Sequence, residues 1–240
     1  MRAYGVTDIG RQRKLNEDFY YLPEAGERFI AVADGMGGHA AGEVASLMAI
    51  TLLTDSLRRS AVASETRLKE AFVSANERVY HEAAKDASRE GMGTTLTVVW
   101  VCGNTCYLGH VGDSRAYRLR EGKLEQLSID HSYVEELVQS GVITREQART
   151  HPKRNLITRC IGVFREIDPQ IVKLDWRESD VWFLCSDGLS GYVRDSEIES
   201  CLNDADLSPA QKLKELKDLA LERGGADNIT LAMLTGGNDA

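Results

Sequence analysis

Short apolar runs that stop at an acid followed by small residues set the rhythm of this chain. Residues 29–33 (Phe-Ile-Ala-Val-Ala) are long enough for a buried strand, and they end at Asp34 with Gly35, Gly37 and Gly38 close behind. The same ending returns where Val-Trp-Phe-Leu-Cys-Ser meets Asp187-Gly188 and, more loosely, where Leu-Gly-His-Val-Gly meets Asp113-Ser114. A fourth acid, Asp227, precedes the run Asn-Ile-Thr-Leu-Ala-Met-Leu and so marks the start of a strand. If that strand runs antiparallel to the others, its beginning lies where they end. All four acids then meet at one end of a sheet structure. Glycine beside Asp34 lets the backbone approach a ligand closely, so the turn can offer main-chain oxygen as well as carboxylate.

The remaining pattern fills in around these endings. Residues 2–8 and 19–22 read as strands. Between them lies Gly10-Arg-Gln-Arg-Lys-Leu-Asn-Glu-Asp18, three bases in four positions followed by acids. This loop leads into the strand that pairs with the Asp34 strand, so its positive charge points towards the acids. Val44, Ala45, Met48, Leu52 and Leu53 form one helical stripe, and Leu68, Ala71, Phe72, Ala75 and Val79 a second. From 94 to 127 the period becomes that of strands joined by short loops, which predicts an antiparallel meander with Asp113 at a corner. Residues 130–165 predict a small helical excursion, with one helix opened by Asp130-His131-Ser132 and ending at Gly141, and another capped by Thr144 and ending before Pro152. Strands at 170–174 and 181–185 follow. Ser208, Pro209 and Gly224 then frame a helix ahead of the Asp227 strand. No repeat, low-complexity stretch or linker appears, which predicts one domain over residues 1–240.

Composition changes this picture little. The chain is 42% apolar and 28% charged with a net charge of −8, which argues against general affinity for nucleic acid or anionic membrane. No apolar leader opens the sequence and no apolar stretch approaches the roughly 20 residues of a membrane span, so the reading is a cytoplasmic protein. Five cysteines without Cys-x-x-Cys spacing predict reduced, mostly buried thiols, in place of a disulfide framework or zinc site.

Carboxylates gathered without partners repel and raise one another's pKa, so such a cluster implies cations. Two divalent ions about 3.5–4 Å apart, holding a water between them, suit an in-line displacement at phosphorus. The all-oxygen ligand set favours Mg2+ or Mn2+ over Zn2+. An arginine then grips the phosphate, and either Arg13 or Arg11 is placed to do so.

The segments Asn16-Glu-Asp18, Val32-Ala-Asp34-Gly-Met-Gly-Gly-His39, Gly93-Thr-Thr, Gly112-Asp-Ser-Arg115, Asp130-His131, Ser186-Asp-Gly-Leu189 and Asp227-Asn-Ile-Thr230, taken together and in this order, resemble the metal-dependent serine/threonine phosphatases of type 2C (the PPM family), in its bacterial form. The resemblance covers nearly the whole chain. It implies an α+β fold, a four-layer sandwich of two antiparallel β-sheets flanked by helix pairs, with a small helical flap at about 131–160. It implies that Asp34 bridges two Mn2+ or Mg2+ ions, that the Gly35 carbonyl binds one, and that Asp187 and Asp227 bind the other. Asp18 would hold metal-bound water, Asp113 would serve a third, weaker ion with Asp187, and Arg13 would bind the substrate phosphate. The implied reaction is hydrolysis of phosphoserine or phosphothreonine in proteins by water bridging the two ions, opposite a bacterial serine/threonine kinase, by a monomeric enzyme. Where animal members carry histidine after Asp-Gly, this chain has Met36, which leaves His39 as the candidate general acid. His110 and His131 read as structural. Two other readings compete: a catalytically silent phosphatase fold used for binding, marked by loss of a metal acid, and an aspartyl-phosphate enzyme, marked by a strand-end Asp-x-Asp. Neither mark is present.

Overall fold

A computed structural model describes residues 1–37, 41–59, 63–89 and 91–237. The strands are β1 (Arg2–Asp8), β2 (Asp18–Tyr21), β3 (Phe29–Met36), β4 (Gly93–Thr94), β5 (Leu96–Cys102), β6 (Thr105–Val111), β7 (Arg115–Arg120), β8 (Lys123–Gln126), β9 (Gln170–Asp175), β10 (Val181–Cys185) and β11 (Ile229–Thr235). The helices are α1 (Ala41–Arg58), α2 (Glu65–Ala83), α3 (Tyr133–Gln139), α4 (Arg145–Arg149), α5 (Asp187–Ser190), α6 (Asp195–Asn203) and α7 (Pro209–Glu222). They build two antiparallel sheets, one in the order β1-β11-β10-β7-β8, the other β2-β3-β5-β6-β9 with β4 paired to β3.

Alternation along the central strands explains the layering. On β3, Ile30 and Val32 face the opposite sheet, where Trp182, Leu184, Ala232 and Leu234 meet them. Phe29, Ala31 and Ala33 face the other way, onto Ala45, Ala49 and Leu53 of α1 and onto Phe72 and Val79 of α2. On the second sheet, Phe183, Leu231 and Met233 turn outward to Leu213, Leu216 and Ala220 of α7 and to Ile198 of α6. A strand buried on both faces has no polar alternation, which is why residues 29–33 read as a continuous apolar run. The result is helix pair, sheet, sheet, helix pair, as the resemblance implied.

The expected meander over 94–127 is not one sheet. β5 pairs with β6, and β7 with β8, but β6 belongs to one sheet and β7 to the other. The three residues between them, Gly112, Asp113 and Ser114, carry the chain across the sandwich. Gly112 makes the crossing with φ 114°, and a Cβ there would lie 2.5 Å from Thr95 Cγ2. Short loops predict antiparallel neighbours only when the flanking strands share a sheet. Asp113 therefore sits at a crossover between sheets.

α6 and α5 lie where no helix was expected. α6 is short and buries Ile198 and Leu202, too few apolar positions to show a period. Its N-cap is Arg194, which lacks a capping oxygen, and Glu197 instead reaches back to accept from the Arg194 N–H at 3.1 Å. All five cysteines are free thiols, with Cys106, Cys160 and Cys185 buried. Cys102 departs from the expected burial, because it ends β5 at the exposed Gly103-Asn104 turn.

Candidate active site

One end of the sandwich collects acids from both sheets. In the β2–β3 ladder Asp18 is the register partner of Asp34. Like charges directly opposite in an antiparallel pair destabilise it, so this juxtaposition calls for a proton or a cation to relieve it. Asp187 is the first residue of α5, just past β10, and Asp227 lies two residues before β11. Gly188 lets these two chain segments touch: a Cβ on it would fall 1.8 Å from the Asn228 carbonyl oxygen. Gly35 does the same for the entry to α1, since its Cβ would fall 2.2 Å from the Gly42 carbonyl.

Hydrogen bonds fix each segment. The Asp34 N–H donates to Thr95 Oγ1 at 2.8 Å, and that hydroxyl meets Ser114 Oγ at 2.8 Å, tying the Asp34 strand to the Asp113 crossover. Thr94 Oγ1 donates to the Asp34 carbonyl at 2.9 Å. Ser186 Oγ donates to Asp18 Oδ2 at 2.8 Å and accepts from the Thr230 N–H at 3.0 Å, a chain that spans the two sheets. Buried Asn228 accepts from the Glu17 N–H at 2.8 Å and donates to the carbonyls of Ile9 and Leu15 at 2.8 and 3.0 Å, so one side chain holds both ends of the basic loop. Within that loop Arg13 Nη2 lies 2.7 Å from Asp227 Oδ2. Arg11 is held elsewhere, its N–H donating to the Gly225 carbonyl at 2.6 Å.

The electrostatics are those of crowded carboxylates. Burial pushes the Asp18 carboxyl up to about 7, and Asp187 and Asp227 add to the rise. Burial raises Asp187 to about 6, with Asp227 adding and a hydrogen bond from Asp34 opposing. Asp34 and Asp113 are pushed well above the usual carboxylate range, again first by burial and then by their acidic neighbours. Asp34 and Asp187 are half-buried. For Arg13, burial opposes the charge, yet Asp227, Glu17 and Asp34 outweigh it and raise the guanidinium further.

These residues fit a divalent-cation centre. Asp18 Oδ1 and Asp113 Oδ1 are buried without a hydrogen-bond partner among the described residues, and an orphaned carboxylate oxygen is costly unless a ligand or water takes it up. Every donor is oxygen, as hard cations require. Among the described residues no three acidic, His or Cys side chains converge on one point. Asp227 is instead paired with Arg13 at 2.7 Å.

The structure thus brings together Asp18, Asp34, Gly35, Asp187, Asp227 and Arg13, with Asp113 linked through Thr95 and Ser114. His39 lies outside the described residues. His110 is fully buried, bonded through Nδ1 to Thr97 Oγ1 at 2.8 Å, and pushed down to about 3 by burial and by His131. His131 stacks on it at 5.0 Å and accepts from the Gly112 N–H at 3.1 Å, so both rings brace the crossover. Ser186, Thr95 and Asn228 gained no role from the sequence. Their signal was a polar residue at the margin of an otherwise apolar strand.

The pKa shifts set a stability prediction. The raised carboxyls hold protons in the fold that an unfolded chain releases near pH 4. Between about pH 4 and pH 7 the folded state therefore binds more protons, and metal-free stability falls as pH rises. A bound cation reverses this by favouring the ionised form. The gap in melting temperature between Mn2+-loaded and EDTA-treated protein should widen from pH 5 to pH 8, and a gap that narrows would contradict the cluster's role.

Comparison with known proteins places the chain in a family. The protein phosphatase 2C family model matches residues 9–225. The serine/threonine protein phosphatase PstP of Mycobacterium tuberculosis is 41% identical over 237 residues, 97% of this chain, and the chain spans only 44% of PstP's length. The protein phosphatase PhpP of Streptococcus pneumoniae is 37% identical over 236 residues, 96% of this chain and 95% of PhpP. The crystal structure of the PstP catalytic domain in complex with two manganese ions superposes with a TM-score of 0.87 at 39% identity, covering 97% of this chain and 96% of that one. The chain belongs to the protein phosphatase 2C family, a family of phosphoprotein phosphatases.

Proposed function

We propose that this chain is a serine/threonine protein phosphatase that works with two or three Mn2+ or Mg2+ ions, acting on phosphorylated proteins as a single monomeric domain. The observation that carries the reading is the cluster of Asp18, Asp34, Asp187 and Asp227, with buried carboxylate oxygen left without a partner and one arginine at its rim. Asp34, the Gly35 carbonyl, Asp187 and Asp227 would hold two ions, Asp18 would orient water beside them, and Asp113 with Asp187 would hold a weaker third. When bound, such ions supply a water of lowered pKa and neutralise charge at the phosphoryl oxygens. Arg13, paired with Asp227 in this structure, would turn to the phosphate once Asp227 is engaged as a ligand. The Ser186 hydroxyl fixes the Asp18 carboxyl, and the Thr95–Ser114 pair keeps Asp34 and Asp113 in step. His39 is the candidate to protonate the leaving alkoxide. The flap at 131–160 borders the entrance.

Among the described residues no helix is long and apolar enough to cross a membrane. The proposed setting is the cytoplasm, opposite a serine/threonine kinase. Hydrolysis of a phosphothreonine peptide that appears with Mn2+ or Mg2+ and disappears with EDTA is the direct test, and a chain inert under both conditions would refute the reading. Arg13→Ala is expected to raise KM for phosphopeptides about tenfold while lowering kcat less, because a grip on a non-reacting oxygen serves ground and transition states alike. If Arg11→Ala raises KM and Arg13→Ala is silent, the phosphate role belongs to Arg11.

A further inference from the structure

Beside the acid cluster a cleft of about 320 Å3 runs between the flap and the turn from α5 into α6. Asp113 and Asp187 line it, so it opens directly onto the proposed reaction centre. Its flap wall carries Arg145, Arg149 and Arg154, and Arg194 stands on the wall opposite. We propose that this cleft selects phosphoproteins with a second anionic side chain, a phosphoryl group or a carboxylate, close to the scissile phosphoresidue, and that Arg149 and Arg154 bind it. The proposal rests on the phosphatase reading and adds a substrate class to it.

A charge balance isolates those two residues. Arg145 is held by Glu135 through two contacts of 3.2 and 3.3 Å. Arg194 faces Glu146 of α4 across the mouth at 3.6 Å, and Arg115 at the rear is bound to Asp130 at 2.7 Å. Asp195 lies 3.7 Å from Arg115 and accepts from the Tyr117 hydroxyl at 3.0 Å. Among the described residues Arg149 and Arg154 have no ion pair and no side-chain hydrogen bond. Asp113 and Asp187 answer to cations at the centre. The flap therefore presents two guanidinium groups to the cleft, in a protein whose net charge is −8. Arg149 is half-buried against the cleft and Arg154 is exposed.

Placement separates this site from the one that takes the scissile group. Arg13 does not line the cleft; it meets the cluster from the side of Asp227. A phosphate held between Arg13 and the acids leaves its peptide to run past Asp113 and Asp187 into the cleft, where the flap arginines meet the flanking residues. Guanidinium matches phosphate and carboxylate with paired hydrogen bonds.

The test uses three peptides with one phosphothreonine each, flanked by neutral residues, by glutamate, or by a phosphoserine, with initial rates taken at the phosphothreonine. The wild-type chain should favour an anionic-flanked peptide over the neutral one by about tenfold in kcat/KM, the scale of a charge-assisted hydrogen bond. Which anionic peptide gains more identifies the source of the charge. Arg149→Ala combined with Arg154→Ala should bring the ratio to about one, the paired lysine replacements should keep part of it, and Arg67→Ala on α2 should leave it alone. A wild-type ratio of one, or a ratio that survives the double alanine variant, overturns the proposal. If Mn2+ supports no hydrolysis of any peptide or of p-nitrophenyl phosphate, the phosphatase reading fails. The same peptides then stay intact, and their fluorescence anisotropy with wild-type and double-variant protein reads the same preference as a ratio of Kd values.

Discussion

Asp34→Ala and Asp187→Ala are each expected to lower phosphopeptide turnover by more than about a hundredfold, a barrier change of about 2.7 kcal/mol, while the metal-free protein melts no lower than wild type. Both halves follow from one arrangement. Asp34 is the register partner of Asp18 and lies close enough to Asp187 and Asp113 to feel their charge, so no neighbour can take over its position between the acids. Its backbone contacts, through Thr94 and Thr95, do not involve the carboxylate and survive truncation. Without cations the Asp34 carboxyl is itself pushed well above the usual carboxylate range by burial and by Asp18, Asp187, Asp113 and Asp227, so removing it relieves the metal-free fold. A loss of function with no loss of stability marks a site that trades one for the other. Activity assays in saturating Mn2+, with thermal unfolding in EDTA, check both. Turnover above a tenth of wild type would remove Asp34 or Asp187 from the ligand set, and a clearly lowered metal-free melting temperature would make it a structural residue.

What the sequence made legible was what its local chemistry controls. The strand ends at Asp34 and Asp187 showed because β3 and β10 are apolar on both faces and then meet an acid and glycine. The cap at Ser208 and Pro209 showed because helix starts have few chemical solutions. The path of the chain between sheets did not show. A turn such as Gly112-Asp113-Ser114 looks the same whether its strands pair or part, and only the sandwich decides, by setting Thr95 against Gly112 and Ser114. Long-range ties were hidden for the same reason. Asn228 is separated by more than 200 residues from Ile9, Leu15 and Glu17, and nothing local announces that its amide closes their loop. The resemblance supplied the convergence of the acids in space, which periodicity alone could suggest only through strand direction. The flap arginines read as a polar, basic stretch, because ion pairing separates Arg145 from Arg149 and Arg154 only in three dimensions.

Asp113→Ala is expected to cut turnover by about ten- to a hundredfold, to remove a low-affinity rise of activity with Mn2+ or Mg2+ that the wild type shows, and to leave thermal stability intact. The carboxylate lies at the crossover between sheets, next to the cluster. The crossover itself is held by other groups: the His131 N–H donates to the Gly112 carbonyl at 2.7 Å, Ser114 bonds Thr95 at 2.8 Å, and Arg115 is engaged by Asp130. Asp113 Oδ1 is buried with no partner among the described residues. A side chain that tied the turn together would show its tie, and this one has an oxygen to offer instead. With Asp34, Gly35, Asp187 and Asp227 intact, two ions keep their protein ligands in the variant. An ion held by Asp113 and Asp187 alone would complete its shell with water, and few protein ligands make a weak site. The variant should therefore bind its first ions as tightly as wild type, seen as the same metal-induced rise in melting temperature at low Mn2+, yet lack the later gain in rate. Activity titrated against metal, beside thermal unfolding of both proteins, separates this from a purely structural role. An unchanged activity curve with a lowered melting temperature would show that Asp113 holds the turn, and the third-ion role would be lost with it.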